Sequence, residues 1–90
     1  MLEKRIVWDE KKNKINQTKH QISFEDAATV FFDSLALTVD DPEHSDYEFR
    51  FVTIGEMRNQ KMIKVFYTET DEEIRIISAR KPTKTVKITV

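Results

Sequence analysis

The sequence predicts an α+β fold in which two N-terminal helices pack on a four-stranded antiparallel sheet. Three observations carry that expectation. Behind Ser23, the apolar residues Phe24, Ala27, Ala28 and Phe31 recur at helical spacing and form a stripe that can lie on a sheet. From Leu35 onward the pattern changes to strand-like alternation. Three later runs, residues 47–54, 62–68 and 73–80, are dense in β-branched and aromatic side chains and are separated by polar turn material, so they read as a meander.

Residues 6–8, Ile6-Val7-Trp8, read as a short strand or as the lead-in to a helix that Asp9 caps. The helix expected over residues 10–19 is very polar, with Ile15 its only aliphatic residue, so Trp8 is expected to supply its apolar anchor. Lys12, Asn16, Lys19 and His20 fall at i, i+4, i+7 and i+8 and share a face. That face is either a solvated stripe with His20 closing the helix or a phosphate-facing edge. Ser23 starts the second helix, with Asp26 at the third position as a short-armed capping box. Leu35, Leu37 and Val39 alternate with Ala36 and Thr38 as the first strand of the sheet, and Asp40-Asp41-Pro42 ends it in a turn. His44 follows in a loop between acidic neighbours.

In the second half both strand faces carry apolar mass. Arg50, Val52 and Ile54 oppose Phe49 and Phe51, while Ile63, Val65 and Tyr67 oppose Lys64 and Phe66. One face must take the helices, which leaves the other as a partly apolar groove or a surface for a partner. In the last run Arg75 and Arg80 have opposite parity. A bulge, or Arg80 lying just past the strand end, is needed to bring them into one site.

Ninety residues allow one domain with one modest core, with residues 82–90 either a further strand or a flexible tail. Hydrophobic residues at 39% and charged residues at 34% place the chain among ordinary soluble domains, and cytoplasmic residence is expected. Zero cysteines exclude disulfide and thiolate chemistry, and the two histidines, His20 and His44, are too far apart to suggest a zinc site. No cofactor is expected. Net charge is −1, but residues 1–20 carry +3, residues 21–49 carry −8 with no base, and residues 50–90 carry +4. A local basic face built from the two ends is therefore possible, with the acidic middle turned elsewhere or offered to a basic partner.

Cleavage of RNA by its own 2′-hydroxyl needs a proton acceptor, a proton donor for the 5′-oxygen and cations for the charge on the phosphorane. Arginine suits the last role, because its fork of donors matches phosphate oxygens and stays protonated. Arg50, Arg75 and Arg80 with Tyr67 and Ser78 nearby make this the chemistry to test. His44, Tyr67 and Glu69 are the candidates for proton transfer, and no local pattern singles one out. On these residues alone, a nuclease, a nucleic-acid or protein-binding module and a plain soluble domain all stay open.

A set of spaced pieces then gives a resemblance. Trp8-Asp9, Lys12, Asn16, Lys19-His20, Ser23-Phe24-Glu25-Asp26-Ala27, Val30-Phe31-Phe32-Asp33, Asp41-Pro42, His44-Ser45, Glu48-Phe49-Arg50, Thr53-Ile54-Gly55, Val65-Phe66-Tyr67-Thr68-Glu69 and Arg75-Ile76-Ile77-Ser78-Ala79-Arg80 occur in unbroken order. In this the chain resembles the BrnT toxin family. The resemblance implies a RelE-like fold and the toxin half of a bacterial type II toxin–antitoxin pair: an endoribonuclease that works without metal and is neutralised by its antitoxin. It implies a small antitoxin partner with a ribbon-helix-helix-type portion, through which the pair reaches operator DNA and represses its operon. It also implies Arg50, Tyr67, Arg75 and Arg80 as the catalytic set, with Lys12, Lys19, His20, His44, Glu69 and Ser78 on RNA and Glu48 as a neighbour.

Two positions depart from the family pattern. Thr70 stands where many members have arginine, and residues 83–90 read as a strand where the family commonly has a charged helical tail. The first departure favours the alternative reading, a catalytically weak or inactive member that serves as an interaction scaffold in an operon-repressing complex. The second would offer an edge for partner pairing.

Overall fold

A computed structural model describes residues 3–41 and 50–82 of the chain. The elements run β1 (Arg5–Trp8), α1 (Glu10–His20), α2 (Phe24–Ala28) tightening into a 3₁₀ turn (Thr29–Phe32), β2 (Leu37–Asp40), β3 (Arg50–Glu56), β4 (Met62–Glu69) and β5 (Glu73–Arg80). The strands form one sheet in the order β1-β5-β4-β3-β2.

The α+β class and the two helices on a sheet agree with the expectation, and the strand count does not. The sheet has five strands, because residues 5–8 pair with β5 from Arg5 opposite Glu73 to Trp8 opposite Ile76. That pairing is parallel, so the sheet is mixed rather than antiparallel throughout. The other three pairings form the antiparallel meander. The parallel partners β1 and β5 are the first and last of these elements, so all the others lie between them in sequence. The expected strand at residues 83–90 and the beginning of the 47–54 run lie outside the described residues.

Both helix starts are set by local chemistry. The Asp9 carboxylate accepts from the backbone N–H of Lys11 at 2.8 Å and of Lys12 at 3.4 Å, and the Ser23 hydroxyl accepts from Asp26 N–H at 3.1 Å. Each satisfies donors that the first helical turn leaves without partners. α1 ends at Gln21, whose N–H still donates to the Gln17 carbonyl at 2.9 Å and whose left-handed φ of 60° then turns the chain out of the helix.

What holds α1 down is polar. Ile15 is 55% exposed, whereas Asn13 is 0% and Asn16 is 5% exposed, so the only aliphatic residue of the helix faces solvent and two carboxamides face the core. Asn16 is thereby separated from Lys12 and Lys19, which stay exposed, and the expected four-residue stripe does not form. Its side chain accepts from Ala79 N–H at 3.1 Å and donates to the Ala79 carbonyl at 3.0 Å and the Ile22 carbonyl at 2.9 Å. β1 stops opposite Ile76, so the Asn16 carboxamide serves Ala79 as a neighbouring strand would. Asn13 accepts from Phe24 N–H at 2.8 Å and donates to Glu10 and Glu25, tying the start of α2 to α1. Among the described residues no buried side-chain polar atom lacks a partner.

The apolar core lies between the helices and one face of the sheet. It is built from Ile22, Phe24, Ala27 and Val30 against Ile63, Val65, Tyr67, Ile74, Ile76 and Ala79, with Trp8 edge-on to Phe24 at 6.2 Å. Gly55, the single glycine, admits the 3₁₀ turn: a Cβ there would lie 2.8 Å from Ala36 Cβ and 2.9 Å from Val30 Cγ2. The Asp33 carboxylate fixes the exit from that turn by accepting from Glu56 N–H at 2.8 Å and Leu35 N–H at 3.0 Å. These two bonds hold its pKa below the ordinary aspartate value, the Glu56 bond contributing most.

Two stability measurements follow from these contacts. Asn16→Ala strands three buried backbone groups, and urea unfolding is expected to show a loss of about 2–4 kcal/mol, set by their desolvation. Asp33, with its folded pKa depressed, stabilises the fold above its unfolded pKa and loses that contribution as pH falls through the folded value. Asp33→Asn is therefore expected to fall behind the parent at pH 7 and to close that gap as pH falls through the folded value.

Candidate nucleic-acid interface

The face of the sheet turned away from the helices gathers the cations. Strand alternation and register put Phe51, Thr53 and Gly55 on the helix side with Tyr67, Val65 and Ile63, which leaves Arg50, Val52 and Ile54 opposite them with Thr68, Phe66 and Lys64. β5 continues the rows: Thr68 stands beside Arg75, Phe66 beside Ser78 and Lys64 beside Arg80. Leu37 and Val39 of the edge strand β2 flank the same surface, next to Ile54 and Val52. The open face thus carries Arg50, Arg75, Lys64 and Arg80 around an apolar and aromatic centre.

A bulge makes this possible. Tyr67 pairs with Ile76 while Phe66 pairs with Ser78, so Ile77 is an extra residue on β5. The insertion reverses parity between Arg75 and Arg80 and puts both on the open side, the requirement their spacing had posed. The rows of Arg75 and Arg80 lie four β4 residues apart, about 13 Å along the strands. Their side chains therefore form a track and not a single point of charge.

Phe66 sits in the middle of that track. The Arg80 guanidinium carbon is 4.8 Å and the Lys64 ammonium 5.6 Å from its ring centroid, both within range for attraction to a ring face. At the end of β5, Arg80 and Lys81 join Lys19, His20 and Gln21 around a shallow pocket of about 320 Å³. Lys19 and His20 are thus brought to Arg80 through the C-terminal end of α1, while Lys12, two turns earlier on α1, does not line this pocket.

Other expected members lie elsewhere. Tyr67 is 3% exposed and belongs to the core, edge-on to Phe31 at 5.0 Å, with its hydroxyl 2.8 Å from Thr53 Oγ1. Thr53 continues to Thr38 at 2.8 Å, so the phenol anchors a chain of hydroxyls across β4, β3 and β2. Strand parity turns Tyr67 toward the helices and so does not bring it together with the arginines. Glu69 shares the helix side with Ile74 and is paired with Lys4 at 2.6 Å. Ser78 is on the open face beside Phe66, as the expected set requires. His44 and Glu48 lie outside the described residues. Thr70 closes the β4–β5 turn, its hydroxyl accepting from Glu73 N–H at 3.1 Å and Glu72 N–H at 3.3 Å.

The sequence reading did not single out Lys64 and Phe66: their parity within their own strand was visible, but only the register with β3 places them on Arg50's face. Among the described residues no group of three His, Cys, Asp or Glu side chains is placed to hold a metal ion, and no helix is long and apolar enough to cross a membrane.

A family model described as the ribonuclease toxin BrnT of type II toxin–antitoxin systems matches residues 8–85. The 1.1 Å crystal structure of the Brucella abortus ribonuclease toxin BrnT is similar with a TM-score of 0.66 and 26% sequence identity, over 90% of this chain and 99% of that one. No curated protein matches at a significant level.

The placement of Tyr67 is testable. Tyr67→Phe removes one buried hydroxyl bond and is expected to lower stability by about 1 kcal/mol while leaving the rate of RNA cleavage within about twofold of the parent. A large loss of rate in a folded variant would restore Tyr67 to the chemistry.

Proposed function

The chain belongs to the BrnT family of ribonuclease toxins of type II toxin–antitoxin systems, and from that premise we propose that it cuts RNA on the open face of its sheet, without metal. The observation that carries this reading is the bulge at Ile77, which puts Arg75 and Arg80 on one surface with Arg50 and Lys64. The family implies RNA as substrate and a cognate antitoxin as partner.

The proposed step is attack of the 2′-oxygen, whose proton passes to solvent, on the adjacent phosphorus with departure of the 5′-oxygen, which takes a proton from solvent, giving a 2′,3′-cyclic phosphate and a free 5′-hydroxyl. Negative charge builds on the phosphorane oxygens, and guanidinium groups already held on the sheet stabilise it with little reorganisation. The same groups supply the positive charge a metal would provide, which is the basis for metal-independent cleavage. Arg50 and Arg75 flank Thr68 at one end of the track, and Arg80 with Ser78 beside Phe66 holds the other. Lys19 and His20 extend the cationic surface past Arg80 along the RNA backbone.

The finer identity of the partner is also part of the proposal. A ribbon-helix-helix-type antitoxin would cover the toxin and carry the pair to operator DNA in the cytoplasm. The apolar side chains exposed near the edge strand, Leu35, Leu37 and Val39, lie in the stretch of residues 21–49 that has eight acids and no base, which suits a partner segment that is apolar and basic.

Arg75→Ala and Arg80→Ala are each expected to slow cleavage about 30- to 1000-fold, corresponding to about 2–4 kcal/mol of transition-state stabilisation. Cleavage by the parent is expected to be unchanged by a chelator. Chelator-sensitive cleavage would overturn metal independence, full activity in both variants would overturn the arginine site, and absence of cleavage by the parent would favour the scaffold reading.

A further inference from the structure

Lys64 and Arg80 are direct register partners on neighbouring antiparallel strands, and both project from the open face. Like charges placed directly opposite one another in such a pair destabilise it. Among the described residues neither has a carboxylate partner: the ion pairs join Lys4 to Glu69 and Arg5 to Glu72 and Glu73. Both side chains instead lie against Phe66, at 4.8 Å for the Arg80 guanidinium and 5.6 Å for the Lys64 ammonium. Attraction to a ring face holds each cation in place, but it leaves the repulsion between the two cations standing. A bound anion would remove it.

We propose that Lys64, Arg80 and Phe66 form a phosphate clamp, in which the Phe66 ring holds the two cations so that they converge on one phosphate of a single-stranded RNA. The proposal rests on the ribonuclease reading of this face and deepens it, adding Lys64 as a phosphate contact and Phe66 as a positioning residue. Phe66 acts through Arg80 and Lys64. A guanidinium lying on the ring keeps the edge with its N–H donors available for oxygen, and its restricted motion lowers the entropy lost on binding. The Arg50–Thr68–Arg75 row lies about 13 Å away along the strands. The clamp thus holds one end of the bound RNA segment and fixes its direction across the sheet.

The test uses the whole chain and a single-stranded 2′-deoxy oligonucleotide, which lacks the attacking hydroxyl and so reports binding without cleavage. Affinity is measured as a function of salt, because each phosphate contact on a single strand contributes about 0.7 to the slope of log K against log salt. Lys64→Gln and Arg80→Ala are each expected to weaken binding about 3- to 10-fold at 0.1 M salt and to reduce the slope by about 0.7. Phe66→Leu is expected to weaken binding in the same way, Phe66→Tyr to restore it, and Phe66→Leu to add nothing once both cations have been removed.

Parental affinity and slope in Lys64→Gln, with both reduced in Arg75→Ala and Arg80→Ala, would overturn the clamp while leaving the open face as the RNA site. Parental values in Arg50→Ala, Arg75→Ala and Arg80→Ala as well would overturn the face itself. If Phe66→Leu does not fold, Lys64→Gln decides the clamp, since Lys64 is a half-buried surface side chain whose removal leaves the core intact. A loss in folded Phe66→Leu that Phe66→Tyr does not restore, or that persists without the two cations, would overturn the positioning role.

Discussion

The fold turns on the Asn16 carboxamide and its three hydrogen bonds to Ala79 and Ile22. β1 is four residues long and runs out opposite Ile76, which leaves the last turn of β5 without a neighbour on that side. Unpaired strand groups in a covered region are costly, so something must meet Ala79. A helix cannot do this with its own backbone, whose donors and acceptors are internally engaged. A carboxamide can, since it offers a carbonyl and an N–H with the spacing of a peptide. Arg80 follows Ala79 directly, so the contact that docks α1 also fixes the backbone from which the Arg80 guanidinium reaches Phe66.

The sheet has two unlike faces, and the unlikeness is what makes it useful. The helix side is filled by Ile63, Val65, Ile74 and Ile76 and is closed by the Tyr67-Thr53-Thr38 hydroxyl chain. The other side carries cations, an aromatic ring and aliphatic side chains together, with Arg75, Arg80, Leu37 and Val39 exposed, Lys64, Phe66 and Ile54 half-buried and Val52 buried. A surface of that composition can take a polyanion with a flat base, because charge meets phosphate and the ring or guanidinium plane meets the base. A single extra residue, Ile77, connects the two demands: β5 packs Ile74, Ile76 and Ala79 inward while presenting both Arg75 and Arg80 outward.

Much of this was legible in the sequence. Asp9 and Ser23 mark the helix starts, and residues 62–68 and 73–80 mark two of the strands, because caps and alternation are local signals. The parallel strand at the edge was only half legible: three apolar residues before a cap do not say which strand they will find. The roles of Asn13 and Asn16 were not legible, since asparagine on a polar helix ordinarily faces water and only the tertiary arrangement supplies the orphaned groups that draw it inward. Tyr67 was grouped with the arginines on its chemistry, although its alternation with Lys64 and Phe66 already put it with Ile63 and Val65. The bulge was legible as a need and not as a place, because any of several residues between Arg75 and Arg80 could have been the extra one.

The central claim is that RNA lies on the sheet face opposite the helices. Methyl-resolved NMR of the whole chain titrated with a non-cleavable single-stranded oligonucleotide addresses it most directly. The account predicts shifts at the methyls of Val52, Ile54, Leu37 and Val39, with those of Ile22, Val30, Ile63 and Val65 unmoved. Shifts confined to Ile15 and the surface of α1, with the open-face methyls unchanged, would contradict it.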